Sequence, residues 1–322
     1  MSLIQKIVKL IHDSQNILVT GHIYPDGDSL GCMLSLTRFL RKMGKTVQCV
    51  QDGTIPPAYR FLPGVTDIIS PEQVGKPVDL VIACECPSLE RMGKALAHVE
   101  TGYRMINIDH HKDNQLYGDV CWLDANAAAL AELVYEIMIS INTEGIDYET
   151  ALCLYTGLLT DTGGFHYSNT TGKTLRISAD LLEKGVDGWD VARRVYHTRP
   201  LNLTRLMGDM MANIRTVGDG KVAYAALPWE LFNKYQCEPA ETEGFITPVR
   251  AVEGIDIAIL FQETKDEKTK ISFRSMGKYD VSMLAREFGG GGHSMAAGAL
   301  VNKPLCEIVD STIQKVIQWM ES

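Results

Sequence analysis

The 322-residue sequence lacks any run of about 18 apolar residues, the length that a membrane-spanning helix needs. Its first residues mix charged side chains with apolar ones at helical spacing (Leu3, Ile7 and Ile11), which is not the pattern of a signal peptide. No internal repeat or low-complexity segment is present either. The sequence therefore predicts a protein without a membrane partner.

Positive charge is also scarce, since 31 lysines and arginines stand against 40 aspartates and glutamates, for a formal net charge of -9. A protein that coats long nucleic acid normally needs a broad basic surface. The balance argues against a track for long nucleic acid. It allows a short phosphorylated substrate that a few local cations bind.

The eight cysteines are scattered along the chain and lie mostly among apolar neighbours. Such a spread is typical of reduced thiols in the core of a cytosolic protein, and it does not indicate a disulfide framework. We therefore expect a cytoplasmic protein.

Strand-like and helical segments alternate through the first part of the chain. The predicted strands lie at 16–20, 46–50, 78–83 and 104–108, and the predicted helices at 29–43, 127–141, 148–159 and 170–200. This alternation is typical of an α/β fold with a mostly parallel sheet flanked by helices.

From residue 214 the pattern changes to strand-like runs at 221–226, 255–262 and 270–275, followed by a helix at 305–320. We predict a smaller C-terminal α/β domain there, because a chain of this length suits two domains. The predicted boundaries are 1–190 for the first domain, 191–205 for a connector and 206–322 for the second domain.

The first group of chemically informative residues lies on a loop after a strand, where open α/β sheets place their sites. His22, Asp26 and Asp28 stand within seven residues, on a loop that Pro25 and Gly27 make tight. One imidazole and two carboxylates suit a divalent ion of intermediate hardness such as Mn²⁺. The alternative is a turn rich in Asp and Gly, with His22 capping a neighbour. This segment alone leaves both interpretations open.

Two further segments have the same character. The strand at 104–108 runs into Asp109, His110 and His111, and neighbouring side chains on an extended segment point in opposite directions. One ring can therefore bind a metal while the other faces a substrate, although a pair of surface histidines is the alternative. Asp161 ends an apolar helix before Thr162, Gly163 and Gly164, and by itself it is typical of an ordinary helix C-terminus.

The second domain contains four successive glycines, 289–292, followed by His293 and a run of small residues. Four glycines lose much entropy on folding, so they are favoured where the backbone approaches a ligand closely. Their N–H groups can form a nest that binds anions. A flexible linker is the alternative, which His293 makes less favourable.

In this order and spacing, the motifs HxxPDGD, DHH, TDTGGF and GGGGHxxAAG resemble those of the DHH/DHHA1 phosphoesterases. The resemblance covers nearly the whole chain. It is strongest to the branch of this family whose members are nano-RNases that also act as pAp phosphatases. It implies a DHH catalytic domain followed by a DHHA1 substrate-binding domain. It implies His111 as the phosphate-contacting residue and Asp109 as its support. The implied metal ligands are His22, Asp26, Asp28, Glu85, His110 and Asp161. The implied substrate-binding residues are Arg274, Gly291, Gly292 and His293.

One position departs from the family pattern. Glu85 stands where relatives have the aspartate that bridges two ions, and its extra methylene moves the carboxylate by about 1.5 Å. Cys84 and Cys86 are soft ligands that could recruit zinc. Strand alternation would point both away from the side of Glu85, and we interpret them as core thiols. Glu85 is then a working bridge, which we favour, or it weakens the metal site or disables activity.

The resemblance implies hydrolysis of pAp and of oligoribonucleotides of about two to five nucleotides, through two Mn²⁺ ions that activate water, with Mg²⁺ or Co²⁺ as substitutes. Short RNA or a nucleotide phosphate is the expected partner, and the sequence is compatible with a homodimer. A linear or cyclic dinucleotide phosphodiesterase stays open as an alternative, as does a nucleotide-binding regulator with weakened catalysis. A RecJ-like exonuclease and a family II pyrophosphatase are less favoured, because the sequence shows no basic patch and the GGGGH loop fits the latter poorly.

Overall fold

The computed structural model describes residues 2–75 and 77–321. The chain divides into two compact units, Met1–His197 and Thr198–Ser322. In the described part of the chain, no helix combines the length and the apolar character that a membrane span requires.

The first unit is built on a five-stranded parallel sheet with the strand order β2-β1-β3-β4-β5. Its strands are β1 (Asn16–Thr20), β2 (Thr46–Val50), β3 (Leu80–Cys84), β4 (Arg104–Asp109) and β5 (Val120–Leu123). Its helices are α1 (Leu3–Asp13), α2 (Gly27–Lys42), α3 (Leu130–Ile141), α4 (Tyr148–Asp161), α5 (Gly172–Glu183) and α6 (Gly188–Ala192). The predicted α/β class with a parallel sheet is confirmed.

Both faces of this sheet are covered by apolar side chains. Ile17 and Val19 of β1 belong to the core that α2, α3 and α4 complete, whereas Leu18 belongs to a second core on the opposite face. Because alternate residues face the two cores, the strands are apolar throughout, as a parallel sheet buried on both sides requires. The parallel order also places the carboxyl ends of β1, β3 and β4 at one edge of the sheet.

Close packing of α2 against α4 brings their polar residues to the same edge. A Cβ atom at Gly31 would lie 2.4 Å from the carbonyl oxygen of Cys153, and one at Gly157 would lie 2.6 Å from Oδ1 of Asp28. Only glycine permits so close an approach of backbone to backbone and of backbone to a carboxylate. These two glycines therefore determine how near Asp28 lies to the end of α4.

The second unit contains a six-stranded mixed sheet with the order β10-β11-β9-β8-β7-β6, in which β7 and β8 are parallel and the other pairs antiparallel. Its strands are β6 (Arg215–Val217), β7 (Val222–Leu227), β8 (Ile257–Glu263), β9 (Thr269–Ser275), β10 (Gly291–His293) and β11 (Ala296–Val301). Its helices are α7 (Leu201–Ala212), α8 (Trp229–Tyr235), α9 (Ile246–Arg250), α10 (Val281–Glu287) and α11 (Leu305–Glu321). The predicted smaller C-terminal α/β domain is confirmed.

The helix predicted over 170–200 is broken into shorter elements. After α5 ends, Gly185 adopts a left-handed conformation with φ of +96°, which turns the chain. Asp187 then caps α6 by accepting backbone hydrogen bonds from Trp189 and Asp190. The residues predicted as a connector, 191–205, comprise the end of α6, a π-helical turn at Arg193–His197 and the start of α7.

Candidate metal centre

The loop between β1 and α2 holds the first three predicted metal-binding residues. Asp26 is the N-cap of α2, and its Oδ1 accepts hydrogen bonds from the backbone N–H groups of Asp28 and Ser29 at 3.1 and 3.0 Å. This cap fixes how the loop enters the helix. His22 is buried, and its Nδ1 has no hydrogen-bond partner among the residues that the structure describes. The loop thus presents two carboxylates and a buried imidazole.

Asp28 lies where α2 meets α3. Its two carboxylate oxygens accept hydrogen bonds from the backbone N–H groups of Leu130 and Ala131, in the first turn of α3. Since no side chain of its own caps α3, Asp28 caps that helix from outside, and the helix N-terminus favours its negative charge. Burial nevertheless raises the pKa of Asp28 to about 7, and the carboxylate of Asp161 adds to the shift.

Glu85 immediately follows β3 and is 1% exposed. Its φ is +56°, a left-handed conformation that costs a non-glycine residue roughly 1–2 kcal/mol. The strand alternation that we expected across Glu85 is therefore wrong, because the chain turns at this residue. Cys84 packs in the core on one face of the sheet and Cys86 in the core on the other. Both are fully buried, as the prediction of core thiols required.

His110 and Asp161 come from the ends of β4 and α4. Nδ1 of His110 lies 3.2 Å from the carbonyl oxygen of Ala127, so this nitrogen carries the proton and donates it. Nε2 is consequently directed at carboxylates, 3.3 Å from Oδ2 of Asp161 and 3.5 Å from Oε1 of Glu85. A histidine held through one ring nitrogen presents the other to a metal in the usual arrangement.

Asp109 holds the second histidine of the DHH motif. Its Oδ1 accepts hydrogen bonds from the backbone N–H groups of His110 and His111, and it lies 2.8 Å from Nδ1 of His111. Nδ2 of Asn114 donates to Oδ2 of Asp109 at 2.7 Å. Burial alone would raise the pKa of Asp109, but the hydrogen bonds and the charge of His111, together with the hydrogen bond from Asn114, outweigh burial and lower this pKa. An ionised carboxylate therefore orients the His111 ring.

The predicted ligands form two overlapping groups of donor atoms. Within each group, these atoms all lie within 4.8 Å of one another. One group consists of His22, Asp26 and Glu85, and the other of Asp28, Glu85, His110 and Asp161. Glu85 belongs to both, because Oε2 lies 3.9 Å from Nε2 of His22 while Oε1 faces His110. The structure thus brings all six predicted ligands together.

This arrangement fits a divalent metal. Four carboxylates lie in a small and largely buried space, where their negative charges repel one another without a cation. Oε2 of Glu85 is buried and has no hydrogen-bond partner within the described residues. Imidazole and carboxylate donors are the set that divalent ions of intermediate hardness prefer.

The metal-free protein should lose stability as pH rises. The pKa of Asp28 is raised to about 7 and that of Asp161 to about 6, in each case first by burial. Above about pH 4 the folded chain then binds protons that the unfolded chain has lost, so the free energy of unfolding falls up to about pH 7. The pKa of His22, lowered to about 4 by burial, acts in the opposite direction between about pH 4 and 6.5. Burial also raises the pKa of Glu85. We expect the effect of these three carboxyl groups on the free energy of unfolding to exceed the opposite effect of His22.

Thermal unfolding of chelator-treated protein at pH 5 and pH 8 measures this effect, with a lower Tm expected at pH 8. Added Mn²⁺ should raise the Tm more at pH 8 than at pH 5, since the metal competes with protons for the same oxygens. The variant Asp28→Asn should flatten the pH dependence without Mn²⁺. A Tm that rises with pH in the metal-free protein would contradict the assignment of these groups.

The predicted substrate-binding residues of the second unit lie on neighbouring strands. Arg274 of β9 pairs across the sheet with Ala296 of β11, and Ala296 pairs with His293 of β10. Paired residues on adjacent strands project from the same face, so Arg274 and His293 lie in one row with only a methyl group between them. The opposite face of β9, with Ile271 and Phe273, is buried in the core of this unit.

We expected the four glycines before His293 to form a loop, but two of them, Gly291 and Gly292, lie in a strand. The segment Gly291–His293 is the edge strand β10. A Cβ atom at Gly290 would lie 2.0 Å from the carbonyl oxygen of Gly298, and one at Gly292 would lie 2.6 Å from that of Ala296. The close approach of this segment to β11 therefore favours glycine at these positions whether or not a ligand binds. The substrate-binding roles of Gly291 and Gly292 stay predictions.

Sequence reasoning assigned no role to Arg91, which lies close to the first donor group. Its carbonyl oxygen accepts a hydrogen bond from the N–H of Ile23 at 2.8 Å, and its guanidinium lies 6.0 Å from the ring centroid of Tyr24. Its positive charge contributes, after burial, to the lowered pKa of His22. The available signal was its position in a short 3-10 helix, Leu89–Met92, that follows the buried strand β3.

Family comparisons agree with this geometry. The model of the DHH family N-terminal domain matches residues 16–158, and the DHHA1 domain model matches residues 219–322. The bifunctional oligoribonuclease and PAP phosphatase NrnA of Thermus thermophilus is 32% identical, over 93% of this chain and 87% of its own. This chain belongs to the DHH family. Asp161 lies outside both matched ranges, so its place beside the other ligands comes from the structure.

Two further relatives span this DHH phosphoesterase almost completely. The bifunctional oligoribonuclease and PAP phosphatase NrnA of Bacillus subtilis is 27% identical over 92% of both chains. The crystal structure of an exopolyphosphatase-related protein from Bacteroides fragilis is 27% identical, covers 99% of this chain and 98% of its own, and superposes with a TM-score of 0.90. Both the DHH and the DHHA1 unit therefore have counterparts in these proteins.

Proposed function

We propose that this DHH phosphoesterase hydrolyses oligoribonucleotides of about two to five nucleotides and removes the 3′-phosphate of pAp, with two divalent ions bound at the candidate metal centre. The observation that carries the proposal is the pair of donor groups joined by Glu85, next to a His111 that Asp109 orients. Relatives that share nearly the full length of the chain are named oligoribonuclease and PAP phosphatase, which supports the substrate class.

Each side chain of the centre has a proposed task. His22 and Asp26 would hold one ion, Asp28, His110 and Asp161 the other, and Glu85 both. The bound ions would lower the pKa of a water molecule and polarise the phosphoryl group. We propose Mn²⁺ because the ligand set combines imidazole with carboxylates, and Mg²⁺ or Co²⁺ as substitutes.

His111 would donate a hydrogen bond to a phosphate oxygen as negative charge develops there. Asp109 would hold the His111 ring in place through the contact between its Oδ1 and Nδ1 of His111. In the second unit, Arg274 would form a charge-assisted pair with a substrate phosphate. His293, which lies in the same cross-strand row, would also contact the substrate. The net charge of -9 supports short substrates, since a long strand needs many cations.

Two finer properties complete the proposal. All eight cysteines are free, which supports a location in the reducing cytoplasm. A homodimer is the proposed assembly, which size-exclusion chromatography with light scattering would test.

A substrate panel tests the function. We expect release of mononucleotide from a 5′-phosphorylated diribonucleotide and of phosphate from pAp when Mn²⁺ is present, and no cleavage of long single-stranded DNA. Cyclic di-AMP belongs in the same panel, because a cyclic dinucleotide phosphodiesterase would use the same residues. Tight binding of pAp without turnover at any Mn²⁺ concentration would contradict an enzyme and favour a nucleotide-binding regulator.

A further inference from the structure

Hydrogen bonds link the side chains of Asn107, Asn114 and Tyr117 to the backbone near Glu85 and, through Asn114, to Asp109. These three residues form a polar network that has no role in the function proposed above. It converges on the carbonyl oxygen of Cys86, which accepts three side-chain hydrogen bonds. The donors are Nδ2 of Asn107 at 3.1 Å, Nδ2 of Asn114 at 3.2 Å and the hydroxyl of Tyr117 at 2.8 Å. A carbonyl oxygen has two lone pairs, so this one is fully used. Such convergence restrains the peptide group to which the oxygen belongs.

That peptide group joins Cys86 to Pro87, one residue beyond Glu85. On the preceding side, the N–H of Glu85 donates to the carbonyl oxygen of Ile108 at 3.0 Å. The left-handed Glu85 is therefore held from both sides, by β4 before it and by the network after it. A left-handed conformation of a non-glycine residue persists only where the surrounding structure determines it. The network thereby restrains the backbone next to the carboxylate that the two donor groups share.

Asn114 is the member of the network that also reaches the DHH motif. Its Nδ2 donates to Oδ2 of Asp109 at 2.7 Å as well as to Cys86, which uses both of its hydrogens. Its Oδ1 accepts from the N–H of Leu116 at 2.7 Å, and this bond fixes which way the amide faces. Since Asp109 in turn holds His111, one amide connects the two functional elements.

We propose that Asn114 is a positioning residue, which sets the Glu85 carboxylate and the His111 imidazole in their relative places. The proposal rests on the proposed function of these two residues. Asn114 acts through the Cys86 carbonyl on one side and through Asp109 on the other. Its removal should therefore weaken metal binding and catalysis together, while substrate binding is retained.

The variant Asn114→Asp gives the sharpest test. It keeps the shape of the side chain and the acceptor for Leu116, but it turns an oxygen toward the Asp109 carboxylate and the Cys86 carbonyl. Loss of a residue that supports metal ligands typically lowers affinity or activity about 10- to 100-fold. We expect a loss of this size in the affinity of the metal-free protein for Mn²⁺, measured by calorimetry. The kcat for pAp at saturating Mn²⁺ should fall by a similar factor, with KM changed less than about twofold.

Two control variants are informative: one separates the effect on Glu85 from the effect on His111, and the other controls for the added charge. Tyr117→Phe removes one donor to the Cys86 carbonyl and leaves Asp109 alone, so it should weaken Mn²⁺ binding while kcat recovers at saturating Mn²⁺. In Asn114→Asp the kcat loss should persist at saturation, because His111 is also displaced. Asn126→Asp, an exposed position in the same unit, adds the same charge outside the network and should change neither quantity.

The proposal is wrong if folded Asn114→Asp keeps both the Mn²⁺ affinity and the kcat of the unchanged protein within about twofold. Should that variant fail to fold, Asn114→Ser, which retains a single donor, takes its place with the same readouts. Absence of turnover in the unchanged protein would overturn the proposed function alone. The Mn²⁺ affinities of the variants would still decide whether Asn114 positions Glu85.

Discussion

Replacing Asp161 by asparagine should lower kcat at least about a hundredfold for both pAp and a 5′-phosphorylated diribonucleotide, since even residues that only support metal ligands contribute 10- to 100-fold. Asp161 belongs to the four-residue donor group, and its Oδ2 lies 3.3 Å from Nε2 of His110. Asparagine keeps the size of the side chain but removes the charge that a divalent ion requires. Steady-state kinetics over a range of Mn²⁺ concentrations measures the loss.

The fold should tolerate this substitution. Burial raises the pKa of Asp161 to about 6, so the folded protein accommodates the neutral form, which asparagine imitates, more readily than water does. The backbone carbonyl of Asp161, which accepts a hydrogen bond from Asn169, is unchanged. A matched control is Glu183→Gln, which removes an exposed carboxylate at the end of α5 and should leave kcat unaltered. Retained activity in Asp161→Asn would refute the assignment of the centre.

Glu85 should respond in opposite ways to two substitutions. Glu85→Gln keeps the length of the side chain and removes its charge, and we expect a loss of kcat of at least about a hundredfold, as for Asp161. Glu85→Asp keeps the charge and restores the residue of the family pattern. Aspartate also adopts the left-handed conformation more readily than most residues, so the backbone with φ of +56° can accommodate it. We expect this variant to keep or exceed the rate of the unchanged protein.

Calorimetric titration with Mn²⁺ shows whether Glu85 serves both donor groups. The Glu85→Gln variant should weaken the binding of both ions, whereas Asp26→Asn should weaken mainly the ion that His22 and Asp26 hold. If Glu85→Gln turned over pAp at the normal rate, the carboxylate would not be a bridge. If instead Glu85→Asp were active and the unchanged protein were not, the glutamate that stands in place of the family's aspartate would be what weakens this enzyme.

Much of the architecture could be predicted because it depends on local patterns. The period of apolar residues distinguishes β1, β2 and α2, and the alternation of these elements leads to the parallel sheet. The breaks inside the region 170–200 were missed, since the turn at Gly185 interrupts an apolar periodicity that continues beyond it. The edge strand β10 was missed because glycine has little strand propensity, and only pairing with β11 makes it a strand.

The sequence by itself determined the chemical character of the centre, through residue types at the ends of strands: His22 after β1, Glu85 after β3 and His110 after β4. Parallel strands end at one edge, so their following residues must be close together. The distances, however, depend on contacts between segments far apart in the chain. Only the tertiary structure shows that Gly157 lets α4 approach Asp28 and that Glu85 is left-handed. A residue's conformation under such constraints follows from its neighbours in space, and these are not encoded in any local pattern.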